Sequence, residues 1–246
     1  MDAGDKAAVE AAWKNGVGVL HNLLSQDELD VIRRELEQAY LDMDMGPGEP
    51  GSRDSLRNEP LLNYPALGRL FSHPRILGIV SAILDEPCPF LLQMKTNRYT
   101  PEHKGVGRHS DGSPTELAAP FQWVATMIYL DDIDVNSGAL TYVPGTHLYH
   151  FASACDPGRI LPKKEDIQSG DYIPIGLKAG SVVFRVPEVW HGVVPIHRLR
   201  RYITGLYTSR KNGNAPIKEQ IQEVRKSRKQ IMETSIPEHV RKYWQY

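Results

Sequence analysis

The stretch Phe90–Tyr99, FLLQMKTNRY, marks the point at which this sequence changes from helical to strand-like patterns. It begins a series of short segments that are rich in β-branched or aromatic residues and bounded by turn residues, which is typical of strands. The later members of the series are Phe121–Leu130, Ala139–Val143, Ser181–Val186 and Tyr202–Thr208. Helices followed by strands predict an α+β protein, mainly β with flanking helices packed on a β double sheet.

The residues before Phe90 predict helices separated by one extended segment. Ala7–Lys14 has helical character, and the glycine-punctuated Gly16–Leu20 follows it as a short strand. Ser25 and Glu28 form the pattern of a capping box, which predicts a helix from there through Tyr40. Another helix is expected from His73-Pro74-Arg75 to Leu84.

We expect a single domain over residues 1–246 because β double sheets often use a chain of this length as one unit. Its predicted parts are a helical region (1–88), a β core (89–209) and a C-terminal helical segment (210–246). Three segments would determine the substrate specificity, but their sequences show no recognisable motif: Met43–Pro60, Ser113–Pro120 and Phe151–Tyr172.

Composition indicates an intracellular enzyme. The 29 Lys and Arg nearly balance the 30 Asp and Glu, so no overall field favours nucleic acid or a membrane surface. Cys88 and Cys155 lack a C-x-x-C pattern, and free thiols in a reducing compartment are favoured over a disulfide. The acidic N-terminus has no apolar run behind it, and no apolar run would span a bilayer. We therefore expect a cytoplasmic monomer or homodimer that acts on a small molecule, with no nucleic-acid or membrane partner.

His109-Ser110-Asp111 and Trp190-His191-Gly192 supply a candidate metal site. Residues two apart on a strand point the same way, so His109 and Asp111 can bind one ion, and a folded-back strand can add His191. Two imidazoles and one carboxylate on one face of a metal hold ferrous iron and leave coordination positions open. H-x-D alone is a weak signal in a chain with nine histidines, but its combination with the distal histidine is strong. The remaining candidates, His103, His147 and His150, lack the strand-and-glycine surroundings of His191.

The order of these and other motifs resembles the phytanoyl-CoA dioxygenase superfamily of non-haem iron and 2-oxoglutarate-dependent oxygenases. The matching stretches are His109-Ser110-Asp111, Asn136–Leu140, Pro144–His147, Gly180–Phe184, Trp190-His191-Gly192 and Arg200-Arg201. The resemblance runs from the N-terminal helices to about Tyr207. It implies a double-stranded β-helix (a cupin-like jelly roll) that uses Fe(II), 2-oxoglutarate and O2. Its metal ligands and catalytic residues would be His109, Asp111 and His191.

The resemblance also implies residues that bind the cosubstrate. Arg200 would hold the far carboxylate of 2-oxoglutarate, because a guanidinium can form two parallel hydrogen bonds with a carboxylate. The spacing from His191 is about two residues shorter than is usual in the family, which leaves Arg201 as the alternative. Lys95 occupies a cosubstrate-contacting position of the family, Asn97 is its neighbour on the same strand face, and Met127 aligns with another cosubstrate-side position.

Alternation along Phe90–Tyr99 leaves two interpretations. Gln93, Lys95 and Asn97 either face a polar barrel interior or face solvent while the apolar set faces the core. Candidate substrate contacts are Gln122, Trp123 and Arg57. Arg53 and Arg57 could pair with an anionic substrate, although ordinary exposed charges explain them equally well.

The favoured function is a dioxygenase that hydroxylates a small metabolite, such as a biosynthetic intermediate, and releases succinate and CO2. Desaturation, epimerisation and ring-forming oxidation remain alternatives. Halogenation is disfavoured because the halogenating members of the superfamily have a small residue where this chain has Asp111. Two further alternatives are a cupin-type metal enzyme that does not use 2-oxoglutarate and a jelly-roll binding protein.

Overall fold

The computed structural model of the chain describes residues 1–111, 121–149 and 162–210, together with 219, 222 and 223. Its helices are α1 (Ala3–Asn15), α2 (Gln26–Asp42), a 3-10 helix (Glu59–Asn63), α3 (Pro65–Leu70), α4 (Pro74–Leu84) and α5 (Lys164–Ser169). The strands before the long insertion are β1 (Val17–Leu20), β2 (Arg53–Asp54), β3 (Phe90–Tyr99), β4 (Val106–His109), β5 (Trp123–Tyr129) and β6 (Leu140–Tyr142). Those after it are β7 (Ile173–Ile175), β8 (Val182–Arg185), β9 (His191–Val193) and β10 (Arg200–Thr208).

Local side-chain caps define where the N-terminal helices begin and end. The Asp2 carboxylate accepts a hydrogen bond from the Asp5 amide, which starts α1 four residues earlier than predicted. Ser25 and Glu28 form the predicted capping box at the start of α2. Gly16 adopts φ +82°, a left-handed conformation that ends α1 at little steric cost and leads directly into β1.

Two antiparallel sheets form the double-stranded β-helix. The larger sheet has the strand order β1-β8-β5-β10-β3-β2, and the smaller has the order β4-β9-β6-β7. The predicted strands all appear, with ends that differ by up to two residues, and the fold class is confirmed. The predicted C-terminal helical segment, 210–246, lies almost wholly outside the described residues, as do Ser113–Pro120 and most of Phe151–Tyr172.

Strand alternation divides the larger sheet into a helix-facing side and an inner side. Met94, Ile128 and Phe184 are buried with apolar residues of the N-terminal helices. Met127 and Val183, one position away on their strands, pack with residues of the smaller sheet. Burying an apolar side chain of this size stabilises the fold by roughly 1.5–3 kcal/mol. The helices therefore cover the outer side and leave the inner side for a cavity.

An ion-pair network fastens α2 and the Met43–Pro60 segment to the helix-facing side. Arg98 and Arg201 are directly opposite each other on β3 and β10, and both bind Glu37 of α2, at 3.2 and 2.9 Å. Arg98 also binds Asp54, at 2.8 Å. Arg201 binds Asp131 at 2.7 Å.

Among the described helices, none is long and apolar enough to cross a membrane.

Candidate metal and cosubstrate site

The structure brings His109, Asp111 and His191 together. Antiparallel pairing of β4 with β9 sets His109 opposite His191, and their ring centroids are 4.3 Å apart. His109 Nε2 lies 3.2 Å from Asp111 Oδ1, and His191 Nε2 lies 3.8 Å from Asp111 Oδ2. One ligand atom from each of the three residues lies within 4.8 Å of the others. This donor set suits a single divalent metal ion with open coordination positions.

Backbone carbonyls orient both imidazoles. His109 Nδ1 donates to the Gly107 carbonyl at 2.7 Å, and His191 Nδ1 donates to the Val189 carbonyl at 2.8 Å. Because a carbonyl oxygen only accepts hydrogen bonds, each Nδ1 atom carries a proton, and Nε2 is the ring atom that faces Asp111 and is left to bind a metal. Metal-binding histidines are commonly held in this way by their second nitrogen.

Arg185 is a third residue type at this site, and the sequence analysis missed it. Its Nη2 donates to Asp111 Oδ2 at 2.5 Å, and its Nη1 lies 3.2 Å from His191 Nδ1. The guanidinium therefore holds Oδ2 of Asp111 and leaves Oδ1 beside His109. The sequence contains one signal of this role: a charged residue in the otherwise apolar segment Ser181–Val186, in phase with the inward-facing Val183.

The charges around His191 and Asp111 favour the protonation states that a metal needs. Burial, and then the positive charge of Arg185, lower the pKa of His191 to about 3, so its imidazole is neutral at pH 7. Burial raises the pKa of Asp111, but the hydrogen bond with His109 and the charge of Arg185 outweigh it and hold that pKa well below its usual range. At His109 the direction is opposite, because the hydrogen bond with Asp111 raises the pKa of the imidazole, and a metal that binds Nε2 would displace the proton of that bond.

The triad lies on the wall of a cavity of about 340 Å³ between the two sheets. Gln93, Lys95 and Asn97 line the same cavity, whereas Met94 and Thr96 face the helices. The polar residues of Phe90–Tyr99 therefore face the interior, and the solvent-facing alternative is wrong. Met127 also lines the cavity.

Arg200 and Arg201 have different surroundings. Arg201 is occupied by Asp131 and Glu37 on the helix-facing side. Arg200 is 1% exposed, donates to the Tyr129 hydroxyl at 3.1 Å, and has no hydrogen-bond partner for Nε or Nη1 among the described residues. It lies behind the cavity wall rather than on it: its guanidinium carbon is 4.4 Å from the ring centroid of Tyr202, which does line the cavity. A buried cation with unused donors is costly unless an anion joins it.

Two predicted substrate contacts are not on the described wall of this cavity. The Trp123 indole donates to Glu188 and packs beside Phe90 and Leu92, because the start of β5 lies beyond the cavity. Gln122 precedes that strand, and its carbonyl accepts from the Ser209 amide.

Arg57 is exposed, and its backbone pairs with Lys95. It does not line the cavity either, although its charge acts on the Lys95 amine.

The two other candidate histidines that the structure describes lie outside the metal-binding group. His147 is buried and its Nε2 donates to the Trp13 carbonyl at 3.0 Å. His103 Nδ1 accepts from the Gly105 amide at 3.0 Å. His150 lies outside the described residues.

A jelly roll with two imidazoles and one carboxylate converging at an interior cavity defines a mononuclear metal-dependent enzyme of the facial-triad class. The chain belongs to the phytanoyl-CoA dioxygenase (PhyH) family, whose sequence model matches residues 13–197. The predicted family and the predicted class, an iron- and 2-oxoglutarate-dependent oxidoreductase, are confirmed. No curated protein matches the chain by sequence at a significant level.

Solved structures of similar fold share little sequence with this chain. The α-ketoglutarate-dependent carbocyclase SnoK from nogalamycin biosynthesis is 21% identical, with a TM-score of 0.63 and 83% of each chain covered. HygX from Streptomyces hygroscopicus, with nickel and 2-oxoglutarate bound, is 20% identical and has a TM-score of 0.61. The similarity covers 83% of this chain and 87% of that chain. EctD from S. alaskensis with bound Fe is 16% identical, with a TM-score of 0.67, 87% of this chain and 79% of that chain covered. These similarities concern the fold.

Proposed function

We propose that this chain hydroxylates a small-molecule substrate in a reaction that consumes 2-oxoglutarate and O2 and releases succinate and CO2. The observation that carries the proposal is the convergence of His109, Asp111 and His191, with Nδ1 of both imidazoles bound to backbone carbonyls and Nε2 of both facing the carboxylate. The donor set fits Fe(II), since two imidazoles and a carboxylate on one face leave positions for a cosubstrate and dioxygen. Bound iron would supply the oxidation of a C–H bond, and the protein supplies orientation and a pocket.

Each residue of the site has a role that follows from its contacts. His109 and His191 would hold the metal through Nε2, and Asp111 through Oδ1, while Arg185 retains Oδ2. Monodentate binding by Asp111 would keep one more coordination position open than bidentate binding. Because the aspartate fills the position that a halide would need, hydroxylation is favoured over halogenation.

Cosubstrate binding uses cations of the larger sheet. Arg200 would bind the far carboxylate of 2-oxoglutarate through Nε and Nη1, its two nitrogens that have no partner among the described residues. This contact requires Tyr202, which separates Arg200 from the cavity, to move aside. Lys95, Asn97 and Met127 line the cavity and would contact the rest of the cosubstrate. A cavity of about 340 Å³ is at the lower end of small-molecule sites, which span roughly 300–1,000 Å³.

The first experiment tests the assembled site without a substrate. Anaerobic addition of Fe(II) and 2-oxoglutarate should give the weak visible charge-transfer band of the iron chelate. His191→Ala should lose the band while keeping the circular dichroism of the fold. His197→Ala, which removes an exposed histidine, is the matched control and should behave as wild type. A full band in His191→Ala, or no band in the wild type, would contradict the proposal.

The second experiment identifies the oxidation. Metabolite pools are incubated with the enzyme and searched by mass spectrometry for changes that require both Fe(II) and 2-oxoglutarate. Hydroxylation adds one oxygen, whereas ring closure or desaturation removes two hydrogens and epimerisation leaves the mass unchanged. A product that has lost two hydrogens or kept its mass would overturn hydroxylation and leave the cosubstrate assignment standing.

A further inference from the structure

The cavity wall carries more positive than negative charge. Arg53, Lys95 and Arg185 line it, and Asp111 is the one carboxylate on the wall among the described residues. Arg185 binds Asp111. Neither Arg53 nor Lys95 forms an ion pair with a carboxylate in the described part of the chain. Three cations against one carboxylate leave a surplus of two positive charges.

In the described part of the chain, the acidic residues near Arg53 do not compensate this surplus, because their carboxylates lie on the helix-facing side of the sheet. Asp54 is adjacent to Arg53, but its carboxylate binds Arg98 at 2.8 Å on the helix-facing side. Glu37 binds Arg98 and Arg201 on that same side. Asp54 and Glu37 thus hold the Met43–Pro60 segment and α2 to the sheet, and they form no ion pair with the cations that line the cavity.

Arg53 is held in place at the cavity by contacts that do not neutralise it. β2 pairs with β3, with Arg53 opposite Tyr99. Its Nη2 donates to the Asn97 side-chain oxygen at 2.9 Å, and its guanidinium carbon lies 5.2 Å from the Tyr99 ring centroid. These neutral partners orient the guanidinium while leaving its charge available to a ligand.

Lys95 shows the consequence of this arrangement. Burial, and then the charges of Arg53 and Arg57, lower the pKa of the Lys95 amine to about 8. Neighbouring cations disfavour the protonated form of the Lys95 amine, and an anion bound among these cations would stabilise that protonated form.

The cosubstrate does not remove the surplus, because Fe(II) brings two positive charges and 2-oxoglutarate brings two negative ones. With the cosubstrate bound, the exposed Arg53 and the partly buried Lys95 would still outnumber the carboxylates of the described cavity wall. We propose that the substrate of this enzyme is an organic anion whose carboxylate or phosphate group binds Arg53, while the charge of Lys95, which would contact the cosubstrate, adds to the positive potential of the cavity. This inference rests on the proposed function, because it assumes that 2-oxoglutarate occupies the same cavity.

The test uses the full chain loaded anaerobically with Fe(II) and saturating 2-oxoglutarate, so that the charge-transfer band is present before any probe is added. Two matched probe pairs separate the sources of the anion: hexanoate with hexanamide, and hexyl phosphate with hexanol. Binding is measured as a change in the band and, independently of the metal, by calorimetric titration of metal-free protein. The variants are wild type, Arg53→Gln and the control Arg34→Gln, which removes an exposed arginine of α2.

We expect at least one anion to bind more tightly than its neutral partner, and Arg53→Gln to weaken that binding by about tenfold or more. Arg34→Gln should match the wild type, and the stronger probe pair identifies carboxylate or phosphate. If neither anion binds better than its neutral partner, or if Arg53→Gln binds the anions as the wild type does, the proposal is wrong. Loss of the band before any probe is added would instead count against the proposed function, while calorimetry on the metal-free protein still tests Arg53.

Discussion

Replacing Arg200 with glutamine should weaken the binding of 2-oxoglutarate without unfolding the protein. Arg200 is buried, its hydrogen bond to Tyr129 is to a neutral hydroxyl, and Nε and Nη1 have no partner among the described residues. Two charge-assisted hydrogen bonds to a carboxylate would be lost, worth about 2–4 kcal/mol in total, which corresponds to roughly 30- to 1,000-fold in affinity. Glutamine keeps much of the side-chain volume, so packing against the tyrosine rings is largely retained.

Arg201→Gln is the matched control, because the two arginines are neighbours on one strand and face opposite sides. Arg201 binds Asp131 and Glu37 and is remote from the cavity wall. Its loss should lower the free energy of unfolding by roughly 1–3 kcal/mol, since Asp131 loses its ion pair while Glu37 keeps Arg98. Cosubstrate affinity should be unchanged.

The assay is an anaerobic titration of the Fe(II)-loaded protein with 2-oxoglutarate, followed by the charge-transfer band, with urea unfolding of each variant alongside. Lys95→Gln is included because Lys95 is on the cavity wall, whereas Arg200 lies behind Tyr202. If Arg200→Gln keeps wild-type affinity while Arg201→Gln or Lys95→Gln loses it, the reasoning from the unpartnered guanidinium is refuted.

Three further predictions concern the charges of the cavity. In metal-free Arg185→Gln, the pKa of His191 should rise from about 3, because burial remains but a neighbouring positive charge is gone; imidazole NMR titration measures it. Affinity for 2-oxoglutarate should fall as the pH rises through about 8, because the cationic Lys95 that favours an anion is lost there, and this dependence should be absent in Lys95→Gln. Wild-type enzyme in chloride-rich buffer should give no chlorinated product by mass spectrometry, and a chlorinated product would exclude Asp111 as a ligand. Asp111→Gly should mainly lose iron affinity, since a carboxylate ligand is removed.

Features that depend on local chemistry were predicted well from the sequence. The capping box at Ser25 and Glu28 forms as expected, because all its partners lie within four residues. The two halves of the triad were also recognisable, since a strand places alternate residues on one side and the motif order matched a known family. Arg200 was favoured over Arg201 by the resemblance to the family, and the structure gives the two neighbouring side chains different surroundings, as opposite sides of one strand require.

Features that depend on distant partners were not predicted. The short strand Arg53–Asp54 lies in a segment rich in glycine and proline, and it forms because its backbone pairs with β3 and Asp54 binds Arg98. Arg185 occurs in an apolar strand, where the sequence alone does not show that its partner is Asp111, 74 residues away. Trp123 was expected at the substrate, but Glu188 binds its indole, and no local pattern links those two residues.

The same strand alternation that builds the fold also separates structural from functional arginines. On the helix-facing side, Arg98 and Arg201 are paired with carboxylates and hold α2 and the Met43–Pro60 segment to the sheet. On the inner side, one residue away, Arg200 and Lys95 lack such partners among the described residues. Unpaired, partly desolvated cations oppose folding, so the inner set is a cost that the outer network and the apolar core offset. Anion binding relieves that cost, and a ligand at 100 times its Kd would stabilise the folded chain by about 2.7 kcal/mol. Anion binding in the cavity therefore stabilises the folded chain. Arg98 and Arg201, which stabilise the fold through ion pairs on the helix-facing side, cannot bind a ligand in the cavity.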